Sequence, residues 1–139
     1  MSNLYAKAGA ILYLIWGVAH LDAARRVYEL GQTFDPGMVQ GRMYQSAWGL
    51  LFFAVVAIGV AVFLNWKNSR TGYWINLITV SVADIGFIAF ILIPGYVPFL
   101  IGLLGPIMWL AAAMLTTLGL RSGGKDQDIA EASASPMQS

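Results

Sequence analysis

The sequence predicts an all-α integral membrane protein: a bundle of four transmembrane helices followed by a short disordered C-terminal tail. Three observations carry this. The 139-residue chain is 58% hydrophobic and only 11% charged, whereas soluble domains are about a quarter charged. Its apolar residues fall into four runs of bilayer-spanning length, about 20 residues each. Of its charges, all but one lie at the ends of those runs, in the connections or in the tail.

The first span covers about residues 5–24, YAKAGAILYLIWGVAHLDAA. A cleaved signal peptide is the competing reading. The lack of a small-x-small site before Asp22, and an apolar run that continues past the usual length, favour a retained helix. A connection at 25–43 follows, with a turn at Asp35-Pro36-Gly37. The second span is about 44–64, and the basic connection NWKNSR (65–70) leads to the third, about 72–93. An uncharged PGYV turn (94–97) leads to the fourth, about 98–120. All four runs are too long and too continuously apolar for barrel strands, which take about 10 alternating residues. Residues 1–121 thus form the transmembrane domain, and 122–139, rich in Gly, Ser, Ala, Asp and Gln, form a soluble, disordered tail.

Orientation follows from the basic residues. Lys7, Lys67, Arg70, Arg121 and Lys125 share one side, and Arg25, Arg26 and Arg42 the other. The excess predicts both termini in the cytoplasm, for a multi-pass protein of a cytoplasmic (inner) membrane. Tyr5, Tyr44, Trp48, Trp66, Tyr73, Trp74 and Tyr96 fall at span ends, where aromatic belts sit. Trp16 and Trp109 lie deeper and need partners inside the bundle.

The composition excludes several chemistries. A net charge of +1 leaves no electrostatic footprint for nucleic acid. Without cysteine there are no disulfides, thiolate metal sites or thiol nucleophiles, and one histidine per chain makes no multi-histidine metal centre. No metal site is expected, and no cofactor is specified. Phosphate-binding loops, HExxH and nucleophile elbows are absent.

The exceptional charge is Asp84, about 12 residues into the third span and about 18 Å along it. An ionised carboxylate at that depth costs about 2.5–3.5 kcal/mol on insertion scales. It must be protonated, paired or in contact with water, and such residues mark proton sites, ligand contacts or counter-ions. Asn76, Thr79, Ala83 and Asp84 fall on one side of the helical wheel. His20, about 22 Å along the first span, lies at a similar depth because the first and third spans run in the same direction. If these helices are neighbours, His20 and Asp84 come into contact. Gly9, Tyr13, Trp16, Gly17 and His20 share a face, giving the histidine an aromatic floor.

Asp22, Arg25, Arg26 and Glu29 have i, i+3, i+4 and i+7 spacing. They read either as a salt-bridged extension of the first helix or, with Arg25 or Arg26 turned inward, as a site for an anionic lipid group. On the fourth span, Gly102, Gly105, Ala112, Thr116 and Gly119 form a small-residue packing seam, and Pro106 predicts a kink.

The expected ligand contacts are therefore Tyr13, Trp16, His20, Asn76, Thr79, Asp84, Arg25 and Arg26. The leading reading is a small polytopic protein that binds a lipid, quinone or other hydrophobic ligand in this polar pocket, or serves as an accessory subunit of a larger membrane complex. A second is a small membrane enzyme with His20 and Asp84 as acid and base. A third is a proton-coupled transporter, oligomeric, with Asp84 as the proton site. The bilayer is the one partner common to all three.

Overall fold

The computed structural model describes residues 2–134, with side chains for 3–124. Among these the regular structure is helical: α1 (Ser2–Gly31), α2 (Met38–Phe63), α3 (Arg70–Phe87), a short α4 (Phe99–Gly102) and α5 (Leu104–Ala134). Four segments are long and apolar enough to cross a membrane: Asn3–Gly31, Met38–Lys67, Arg70–Leu92 and Phe99–Gly124. The chain is a small multi-pass membrane protein.

The packing fits a lipid solvent. The buried apolar side chains are mostly alanines, at positions 6, 10, 24, 47, 54, 57, 61 and 112. Large apolar residues such as Phe52, Phe63, Val82, Phe90, Leu100 and Met114 point outward. A bilayer does not drive large side chains inward; helices associate by close contact of small residues. α1 is the hub and packs along both α2 and α5. A Cβ on Gly9 would fall 2.6 Å from Thr116 Cγ2 and 3.1 Å from the Ala112 carbonyl oxygen. One on Gly17 would lie 3.1 Å from the Ala54 carbonyl oxygen, and one on Gly119 would lie 3.0 Å from the Ala6 nitrogen. Ala112, Thr116 and Gly119 of the predicted seam are thus used inside the bundle against α1, while Gly102 meets Leu92 and Val97. α3 closes the bundle against α2 and α5, which leaves α1 and α3 on a diagonal rather than as neighbours.

The helices extend beyond the predicted spans. α1 continues to Gly31 and α2 begins at Met38, so the connection expected at 25–43 shrinks to 32–37. Hydropathy marks where lipid ends, whereas i, i+3 and i, i+4 ion pairs carry the helix into water. Arg25 bonds Asp22 and Glu29, and Arg26 bonds Asp22 at 2.6 Å. Tyr28 stacks on Tyr44 with ring centroids 4.9 Å apart, joining the two extensions. At the other end, α5 runs on as helix through Ala134, over residues expected in the tail. No proline interrupts 122–134, which carries Lys, Gln, Glu and three alanines, residues that favour helix. The rest of the tail, 135–139, lies outside the described residues.

Two spans are irregular on the side of the 94–98 turn. The third ends in a π-helical turn, Ile88–Leu92. The fourth breaks at Leu103, between α4 and α5. Pro106 explains the second break: it has no N–H for the Gly102 carbonyl, and its ring crowds the preceding turn.

Candidate functional site

α3 turns a stripe of Gly72, Asn76, Val80 and Asp84 into the bundle. The i, i+4 repeat places Val80 in this stripe, while Thr79 and Ala83, expected on the polar face, sit half-buried beside it. Asp84 is 1% exposed.

The residue that reaches Asp84 is Trp16. Its indole N–H donates to Asp84 Oδ2 at 3.0 Å. The expected His20–Asp84 hydrogen bond does not form: the His20 ring is stacked on Trp16, with Nδ1 turned to the Trp16 carbonyl. Trp16 is itself fully buried. His20 stacks on it, ring centroids 3.6 Å apart and 21° between planes. His20 Nδ1 lies 2.9 Å from the Trp16 carbonyl oxygen. A carbonyl only accepts, so Nδ1 carries the proton and, in the neutral ring, Nε2 is an acceptor.

Gly105 brings the two polar groups to one place. A methyl-sized point at its Cβ position lies 3.6 Å from Asp84 Oδ1 and 3.9 Å from His20 Cε1. Among the described residues no donor bonds Oδ1; the hydrogen bond to Asp84 falls on Oδ2 alone. The half-used carboxyl oxygen and the edge of the imidazole therefore both come within van der Waals reach of the Cβ position of residue 105.

Unpartnered polar atoms are spread through the interior, Asn65 Nδ2 and Oδ1 in the 65–67 turn among them. Tyr13 Oη, Asn76 Oδ1 and Trp109 Nε1 are buried without a hydrogen-bond partner. Tyr13, Trp16 and Val80 belong to one apolar cluster, with Trp109 packed against it. The Asn76 amide donates to the Ala57 carbonyl at 3.2 Å. Buried polar atoms are ordinarily satisfied, by protein groups or by ordered water.

The structure thus brings Trp16, His20 and Asp84 together; Tyr13 is buried one turn before Trp16 on α1, Asn76 two turns before Asp84 on α3, and Thr79 lies at the margin. Arg25 and Arg26 stand apart: their side chains are more than half exposed and are held by Asp22 and Glu29 at the rim. Arg42, also exposed, bonds Gln45 at 2.7 Å. Gly105 and Trp109 join the site without having been predicted there. Gly105 stood out only as a small residue for packing, and Trp109 only as an aromatic too deep for the interface. Among the described residues no group of three His, Asp or Glu side chains could hold a metal ion. Comparison with models of protein families, with characterised proteins and with solved structures gives no match.

Proposed function

We propose that this protein binds a lipophilic molecule through a hydroxyl or similar donor-bearing head group, seated inside the bundle against Asp84 and His20. The observation that carries the reading is the half-used carboxyl: Trp16 holds one oxygen, and the other, beside His20, has no partner among the described residues. Docking α3 requires of Asp84 only the bond from Trp16. A hydroxyl such as that of a quinol or a lipid alcohol has one proton to give, and either Asp84 Oδ1 of the carboxylate or His20 Nε2 of the neutral ring can accept it. The stacked rings of Trp16 and His20 offer an apolar wall, and the outward faces of the helices are lipid-compatible. A lipophilic ligand would reach such a site from the bilayer. We place the protein in a cytoplasmic membrane with both termini inside, on the excess of Lys and Arg at the end that carries the 65–70 connection.

The test is mass spectrometry of small molecules that co-purify with the full chain when it is extracted in polymer-bounded native membrane discs. Wild type should carry one species above the bulk lipid background. Asp84→Asn keeps an acceptor for Trp16 but turns an amide N–H₂ toward the ligand's donor. It should lower that species at least about tenfold. Identical small-molecule content in wild type, Asp84→Asn and Asp84→Leu would refute the reading.

A further inference from the structure

A concave feature lies at the end of the bundle where the 65–70 connection meets the far end of the last transmembrane segment, three to four turns along α3 from Asp84. It is a cavity of about 850 Å³ whose lining includes Lys67, Arg70 and Arg121 together with Tyr73 and Trp74. We propose that it is a site for the phosphate-bearing head group of an anionic lipid.

Local structure assembles these side chains. Asn68 adopts a left-handed conformation (φ 56°), which reverses the chain between the 3₁₀ turn Asn65–Lys67 and α3. Its side-chain amide donates to the Gly119 carbonyl at 3.0 Å, pinning the connection to α5. Lys67 and Arg70 are thereby held against the turn of α5 that carries Arg121. Ser69 caps α3 by accepting from the Gly72 N–H, which fixes where Arg70 begins the helix. The Tyr73 and Thr117 hydroxyls lie 3.1 Å apart and tie the wall formed by α3 to that formed by α5.

Charge and size then define the ligand. All three cations are exposed, and none has an ion-pair partner among the described residues, where ion pairs involve Arg25 and Arg26. Three like charges around one hollow repel each other unless an anion enters, and guanidinium groups match phosphate oxygens two at a time. The volume falls in the range of organic-ligand sites, about 300–1,000 Å³, far more than a bare phosphate needs. Trp74 is half exposed at the rim, the position where indoles sit among lipid head groups. Basic pockets between transmembrane helices on the cytoplasmic side are a recurrent lipid-head-group arrangement, and this end carries the excess of basic residues. The site is independent of the Asp84 proposal.

The full chain is purified in mixed micelles holding equal phosphatidylcholine and phosphatidylglycerol, and retained lipid is read by native mass spectrometry. Phosphatidylglycerol should be retained in preference. The double variant Arg70→Gln/Arg121→Gln should weaken its binding about 30-fold. Arg42→Gln, at the other membrane face, should leave it unchanged. Unaltered thermal unfolding of the double variant shows that the loss is local. Asp84→Asn should keep the retained phosphatidylglycerol, which separates this site from the intramembrane one. Equal retention of both lipids, or full retention in the double variant, would overturn the proposal. Displacement of the lipid by millimolar inorganic phosphate would overturn the lipid assignment in favour of a soluble phosphate.

Discussion

Gly105→Ala separates a ligand site from a packing contact more sharply than any change to the polar residues themselves. The added methyl would stand 3.6 Å from Asp84 Oδ1 and 3.9 Å from His20 Cε1, both ordinary van der Waals separations. It introduces no clash. Replacing glycine by alanine in a helix stabilises by up to about 0.5–1 kcal/mol, and a position in the first turn of α5 should fall at or below the lower figure. A hydrogen-bond donor on Asp84 Oδ1 must come to about 2.7–3.0 Å, into space the methyl now fills. Gly105→Ala should therefore unfold at the same or slightly higher denaturant in a reversible detergent titration, while the co-purifying small molecule falls at least about tenfold. The two readouts move in opposite directions, which a merely structural role for Asp84 does not allow. Unchanged ligand content would remove the site from this position. A loss of stability greater than about 1 kcal/mol would mean that the methyl collides, and the packing described around Gly105 would be wrong.

Other consequences follow from the same geometry. Gly9→Ala should destabilise by about 1–3 kcal/mol in the same titration, since its methyl would meet buried Thr116 and the α5 backbone. Trp16→Phe removes the donor to Asp84; a double-mutant cycle with Asp84→Leu should return a coupling of about 0.6–1.7 kcal/mol, and a zero coupling would contradict the bond. The chain has no cysteine, so single-cysteine labelling is free of background. In intact cells a membrane-impermeant maleimide should modify Arg26→Cys and spare Arg70→Cys, and the reverse pattern would invert the proposed orientation.

The four spans were legible because a bilayer imposes a length and a composition on whatever crosses it, and hydropathy reads both. Asp84 was legible for the same reason, as the charge that violates the pattern. The helix ends were not: α1 and α2 project past the lipid on Asp22, Arg25, Arg26, Glu29 and the Tyr28–Tyr44 stack, and hydropathy is blind to a helix in water. Depth along the normal placed His20 near Asp84, but depth does not say which way a side chain turns. The His20 ring stacks on Trp16, and the bond to Asp84 comes from the Trp16 indole instead. Gly105 was hidden for a related reason, since a small residue reads alike whether it admits a helix or a ligand. The basic cavity needs Asn68 to tie a connection to α5, a contact 51 residues apart in sequence.

How α3 is held gives the strongest reason to look beyond structure for the role of Asp84. The contacts of α1 with α2 and α5 are steric, made by glycine and alanine against backbone. Among the described residues, every side-chain hydrogen bond between these long helices involves α3. Asp84 bonds Trp16 of α1, Asn76 bonds the Ala57 carbonyl of α2, and Tyr73 bonds Thr117 of α5. One polar tie to each neighbour is a sufficient docking scheme, and two of the three are made by neutral side chains. An asparagine at 84 would accept from Trp16 equally well and would carry no ionisation cost in lipid. The carboxyl brings a second oxygen that docking does not use, 3.6 Å from the Cβ position of residue 105. A costly group with a second oxygen free among the described residues is what the proposed ligand would use, and Asp84→Asn, which keeps the Trp16 tie, tests the two roles separately.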